Sequence, residues 1–187
     1  MPITTIDPNT ALITIDLQKG IVAMPTAHPI AEVVQRAAAL AEAFRRHGLP
    51  VVLVHVTGRP PGRTEQSRPG RDFPSDFAEF IPELSPQPGD HVVTKQTPGA
   101  FTKTDLEAYL KSKGVTQIVL VGVATSIGVE STARQAYELG FNVTLAVDAM
   151  TDLDADLHAN SVGKVFPRLG ERGTTEEILE RLNSRST

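Results

Sequence analysis

Cysteine is missing from all 187 residues, which removes disulfides, thiolate metal ligands and a thiol nucleophile together. Long apolar runs are missing too: none reaches the ~18 residues that a membrane-spanning helix needs, and no signal-like segment opens the chain. There is no basic run of the kind a phosphate backbone requires, and the net charge of −4 comes from interspersed charges of both signs. These absences set aside nucleic acid and membrane as partners. They leave a cytoplasmic protein acting on a small molecule as the expectation. The length suits one domain over residues 1–187, with a core that needs no covalent staples, and there is no internal repeat.

What is present is an alternation. Ala11 to Ile15, Val51 to Val56, His91 to Thr94, Val115 to Val121 and Asn142 to Val147 read as strands. Between the first two, Ile30, Val33, Val34, Ala37, Leu40, Ala41 and Phe44 recur at helical spacing until His47-Gly48. Thr104 to Lys113 is a second helix, closed by Gly114. A third is capped by Thr125 or Ser126, carries Val129, Ala133, Ala136 and Tyr137 on one face, and stops at Gly140. Helical patterns over Asp154 to Phe166 and Thr174 to Leu182 flank a short strand near Leu169 to Arg172. Continuous β-branched strands separated by amphipathic helices predict a parallel sheet covered on both faces. The fold expected is a Rossmann-like α/β three-layer αβα sandwich, with a six-stranded parallel sheet in the order 3-2-1-4-5-6.

That order brings the ends of strands 1 and 4 together at the reversal. The first strand ends on Asp16, the third on Lys95, and the fourth on the corner Gly122-Val123-Ala124-Thr125-Ser126-Ile127-Gly128. Alone, Asp16 reads as an aspartate satisfying a turn and Lys95 as a lysine reaching solvent. Together, a carboxylate and an ammonium at facing strand ends form a partly buried pair in which each favours the other's charge. The corner lacks the Gly-Lys-Ser/Thr ending of a P-loop and the glycine spacing of a dinucleotide fingerprint, so no cofactor is expected. Its N–H groups and the following helix end suit an oxyanion or a carboxylate. Gly128 is either a small residue where helix meets sheet or space left for a ligand.

Ile13-Thr14-Ile15-Asp16-Leu17-Gln18, Thr94-Lys95-Gln96-Thr97-Pro98-Gly99-Ala100-Phe101 and the run from Gly122 to Tyr137 resemble the isochorismatase-like hydrolase superfamily, over about Ala11 to Leu179. The resemblance implies a catalytic set at the ends of strands 1, 3 and 4. In the amidase branch that set is Asp, Lys and Cys; Asp16 and Lys95 match, and Gly128 stands at the Cys position. It also implies a cis peptide at Val123-Ala124, with the N–H groups of Ala124 and Gly128 as oxyanion donors. Without a nucleophile, acyl-enzyme chemistry has no obvious route. Isochorismatases proper also resemble this pattern with Gly at that position. They hydrolyse a vinyl ether, which needs a proton donor and water, with Asp16 as acid and Lys95 assisting. A lysine neighbour, however, lowers the proton affinity an acid needs.

Thr57 to Asp90 is a long segment holding most of the prolines with Arg59, Arg63, Arg68 and Arg71, and so long a segment is usually functional. Arg68 resembles the substrate-binding Arg of isochorismatases, and Arg59 falls near a position where those enzymes carry Gln. Gln18 and Phe101, from the matching motifs, complete the candidate substrate contacts. No metal site is expected: the His-x-His arrangement of nicotinamidases is absent after Val56, and His55 reads as a packed core residue. Asp148, at the end of strand 5, and Arg134 read as a structural polar network, and His158 as exposed. A homo-oligomer, dimer or larger, is implied by the resemblance. A different class of protein remains open, a non-catalytic small-molecule binder of the amidase branch whose Cys gave way to Gly128, by natural loss or by engineering.

Overall fold

The computed structural model describes residues 3–65 and 73–184. Strands β1 (Thr10–Ile15), β2 (Val51–Val56), β3 (His91–Lys95), β4 (Gln117–Val123), β5 (Asn142–Thr151) and β6 (Glu171–Gly173) form one sheet in the order β3-β2-β1-β4-β5-β6. Every pairing is parallel, as the pattern of strands and helices predicts. The central strands β1 and β4 are buried at every position, whereas β3, at the edge, alternates buried with partly exposed residues. That is the difference expected between strands covered on both faces and a strand with one open side.

Helices α1 (Lys19–Val22), α2 (Ile30–Arg46), α3 (Leu106–Ser112), α4 (Glu130–Glu138), α5 (Ala155–Asn160) and α6 (Thr175–Asn183) complete the layers. Leu12, Leu53 and Val119 face one side and pack with Leu40, Phe44, Ile178 and Leu182 of α2 and α6. Ile13, Ile15, Val54 and Leu120 face the other and pack with Leu106, Leu110, Ala133 and Ala136 of α3 and α4. Each fully buried Leu, Ile or Val stabilises the fold by about 1.5–3 kcal/mol relative to exposure. α6 starts on a capping box, in which the Thr174 hydroxyl accepts from the Glu177 amide while the Glu177 carboxylate accepts from the Thr174 amide.

Four details depart from the expectation. β5 does not end at Val147 but continues to Thr151, past a register shift opposite Leu120 and Gly122. Asp148 therefore lies within the strand, where its Oδ1 accepts from the Thr175 amide and hydroxyl and anchors the start of α6. The helix expected over Asp154 to Phe166 is broken: α5 gives way to a π-helical turn over Ser161–Val165 and a 3-10 turn over Phe166–Arg168, where Pro167 supplies no N–H. Neither Thr125 nor Ser126 caps α4, because a π-helical turn over Thr125–Val129 precedes it with no side-chain cap. Among the described residues, no helix is long and apolar enough to cross a membrane.

Candidate active site

The corner reaches β1 because of one glycine. Gly122 pairs with Ile15 in the β1–β4 register, and its φ of +120° lies where side chains are rarely tolerated. A Cβ there would overlap the Ile15 carbonyl oxygen, so only glycine lets β4 end this close to β1. The residue after Ile15 is Asp16, in left-handed conformation at φ 52° with its amide donating to the Val54 carbonyl oxygen at 3.0 Å. Aspartate tolerates that conformation better than most residues. The Val123–Ala124 peptide bond that follows is cis.

Lys95, the last residue of β3, reaches across the end of β2 to Asp16. Its Nζ lies 2.8 Å from Asp16 Oδ2 and donates to the Pro98 carbonyl oxygen at 2.7 Å. The two side chains are only 1% and 8% exposed, so this is an ion pair withdrawn from water. The other carboxylate oxygen, Asp16 Oδ1, is buried with no hydrogen-bond partner. Burial raises the Asp16 carboxyl to about 6, against the opposing pull of the Lys95 charge and hydrogen bond and a weaker one from His55. Desolvation thus outweighs the lysine, which resolves the tension between a salt-bridged aspartate and a proton donor.

Gly128 closes the triangle. A Cβ built on it would lie 2.8 Å from Ile15 Cγ2, 3.3 Å from Asp16 Oδ2 and 3.5 Å from Lys95 Nζ. The turn is held from three sides. Asp152 Oδ2 accepts from the Ser126 amide at 2.7 Å, Thr125 Oγ1 bonds His158 Nδ1 at 2.8 Å, and Thr132 Oγ1 donates to the Gly128 carbonyl oxygen at 2.7 Å. Thr132 also accepts from the Ala100 amide, so one hydroxyl ties the corner to the segment after Lys95. His158 is not exposed as expected: it is half-buried with its ring centroid 4.5 Å from that of His28, and burial first, then the His28 charge, lowers its pKa. Arg134 pairs with Glu130 on the surface of α4.

Asp16, Lys95, Val123, Ala124 and Gly128 all line one cavity of about 250 Å³. Its remaining wall is mostly apolar, with Ile21, Met24, Val56, Ile127 and Leu153 prominent, and Arg59 stands at its exposed mouth. A larger groove of about 710 Å³ runs along α2, but no facing charge pair of this kind lies in it. Of the residues expected to touch substrate, Arg59 lines the cavity, whereas Gln18 and Phe101 do not. Gln18 is fully buried and braces the loop: its Nε2 donates to the carbonyl oxygens of Val56 and Phe77, and its Oε1 accepts from the Val56 amide. Both N–H donors of its amide are spent on the backbone, and the side chain does not line the cavity. The Phe101 ring stacks on Phe141 at 6.0 Å instead. Arg68 lies outside the described residues. His55 is packed but only partly buried, so it is not the core residue expected; it is bonded to Ala78 O and Thr94 Oγ1 and stacked on Phe80. Ser126, the nearest hydroxyl in sequence, does not line the cavity.

Sequence reasoning missed the apolar wall, because Ile21, Met24 and Leu153 look like ordinary packing residues until the fold leaves them at a cavity. It also missed Asp152 and Thr132. A signal existed for Asp152, since the apolar Ala149-Met150 after Val147 marks a strand running on toward a second acidic end.

A family model described as Isochorismatase domain matches residues 10–177. The uncharacterized isochorismatase family protein YwoC of Bacillus subtilis is 42% identical over 180 residues, covering 92% of this chain and 94% of that one. The uncharacterized isochorismatase family protein YecD of Escherichia coli O157:H7 is 44% identical over 184 residues, covering 92% and 96%. The structure of an isochorismatase family protein from Burkholderia thailandensis superposes with a TM-score of 0.91 at 40% identity, covering 96% of this chain and 98% of that one.

Proposed function

The chain belongs to the isochorismatase family and is a hydrolase of that family, and from this premise we propose that it cleaves a small carboxylated vinyl ether by acid/base chemistry centred on Asp16. The observation that carries the reading is the state of Asp16: in a cavity, with one oxygen on Lys95, the other unpartnered, and a proton affinity raised to about 6. A carboxyl group in that range holds a proton to donate near neutral pH and is a competent base once it has donated it.

The steps balance without a covalent intermediate. Asp16 gives its proton to the terminal carbon of an enolpyruvyl ether, forming a C–H bond and an oxocarbenium ion. Water adds to the cationic carbon and returns a proton to Asp16. The resulting hemiketal breaks its C–O bond, its hydroxyl proton passing to the departing oxygen, to release an alcohol and pyruvate. Lys95 uses two of its three donors on Asp16 and Pro98, and the third serves the hemiketal oxygen. The amides of Ala124 and Gly128, which line the same cavity, provide backbone donors.

The test is a pH profile of pyruvate release, with isochorismate and simpler enolpyruvyl ethers as substrates. An acid of pKa about 6 in the free enzyme predicts that kcat/KM falls about tenfold per pH unit above that value. A profile that rises through the same range would make Asp16 a base and end the reading.

The competing reading, an amidase-branch site that lost its thiol, meets a specific obstacle. The methyl that a Cβ at position 128 would approach to 2.8 Å belongs to Ile15, a β-branched residue on a central strand with little freedom to move. A site that had only recently lost a side chain would show room for one. Gly128→Cys is therefore expected to destabilise the protein by roughly 1–3 kcal/mol through overpacking and to release no ammonia from small amides. Chemical denaturation and an ammonia assay check both parts. An unchanged midpoint with amide turnover would favour the amidase branch.

A further inference from the structure

The cavity carries its charges unevenly. Its inner cation, Lys95, is paired with Asp16 and bonded to the Pro98 carbonyl oxygen. At the mouth the situation is the reverse. Arg59 lines the same cavity and, among the described residues, has no acidic partner. Its guanidinium lies over the Phe73 ring, 5.1 Å from the centroid. A guanidinium over an aromatic ring can still offer the paired N–H donors that bind a carboxylate bidentately. Phe73 is itself fixed, stacked on Phe77 at 4.0 Å, and Phe77 is seated where a Cβ on Gly20 would overlap it. The Phe77 carbonyl oxygen accepts from the Gly20 amide and the Gln18 side chain. Arg59 is thus positioned through a chain of contacts running back to the segment that follows Asp16.

Resting on the site proposed above, we propose that Arg59 is the specificity-determining residue, holding a substrate carboxylate at the mouth while Ile21, Met24, Ile127 and Leu153 hold an uncharged, ring-sized body.

The test reads binding, not turnover, so it stands or falls separately from the acid/base reading. Benzoate and benzamide are titrated by calorimetry into the wild-type protein, Arg59→Gln and Arg59→Lys. Arg59 is exposed, so both variants are expected to fold, and a thermal melt checks this. The expected result is that benzoate binds about tenfold or more tighter than benzamide. Arg59→Gln should abolish the preference and Arg59→Lys should keep part of it, because a lysine retains the charge without the fork. Equal affinities for benzoate and benzamide, no benzoate binding, or a preference unchanged in Arg59→Gln would overturn the assignment to Arg59.

Discussion

Asp16→Asn is expected to lower the rate of pyruvate release by about 10²–10⁴-fold, the usual worth of a positioned general acid. Asparagine keeps the shape of the side chain and tolerates the left-handed backbone at φ 52°, which alanine does less well. Its amide oxygen can still accept the hydrogen bond that Lys95 makes at 2.8 Å. What it cannot do is carry a proton to carbon. The loss should therefore appear in the chemical step under single-turnover conditions, with circular dichroism unchanged and substrate affinity nearly so. Activity within a few-fold of wild type would remove Asp16 from the chemistry.

The location of this acid was legible in the sequence because it depends on topology. Apolar runs at Ala11, Val51 and Val115, separated by amphipathic helices, allow few arrangements, and the one adopted puts the ends of β1 and β4 side by side. The charge state of the acid was not legible. Lys95 argued for a low pKa, and only the burial of both side chains shows that desolvation prevails. Gln18 illustrates a second limit. It sits in a motif with Asp16, yet its amide is spent on the backbone of Val56 and Phe77, a long-range brace with no local pattern. Helix α1 escaped detection for a related reason: four residues cannot show periodicity. It is held by bonds from Lys19 and Gly20 to Glu79 and Phe77 in the long segment. The π-helical turn over Thr125–Val129 is likewise fixed from outside, by Asp152, His158 and Thr132.

Lys95→Met separates the electrostatic role of the lysine from its packing role, since methionine keeps much of the apolar stem in a position only 2% exposed. Removing one member of a buried ion pair costs about 3–5 kcal/mol where the remaining charge persists. Here that charge can be discharged by protonation. In the wild type, the folded-state value of about 6 exceeds the ordinary 3.8, so the folded form binds more protons than the unfolded one between those values. The contribution of Asp16 to stability is therefore largest at acid pH and is lost as pH rises toward and through about 6. Without Lys95, both its charge and its hydrogen bond stop opposing desolvation, and the folded-state value climbs further. The loss then continues to higher pH than in the wild type. Denaturation at about pH 5 and about pH 8 should show a stability deficit that is small in the first case and approaches 3–5 kcal/mol in the second. In the same variant the alkaline limb of the kcat/KM profile should move to higher pH while its plateau drops, because the acid stays protonated longer but the hemiketal loses its cationic donor. A deficit independent of pH, or an alkaline limb that stays in place, would mean that Lys95 does not set the protonation of Asp16.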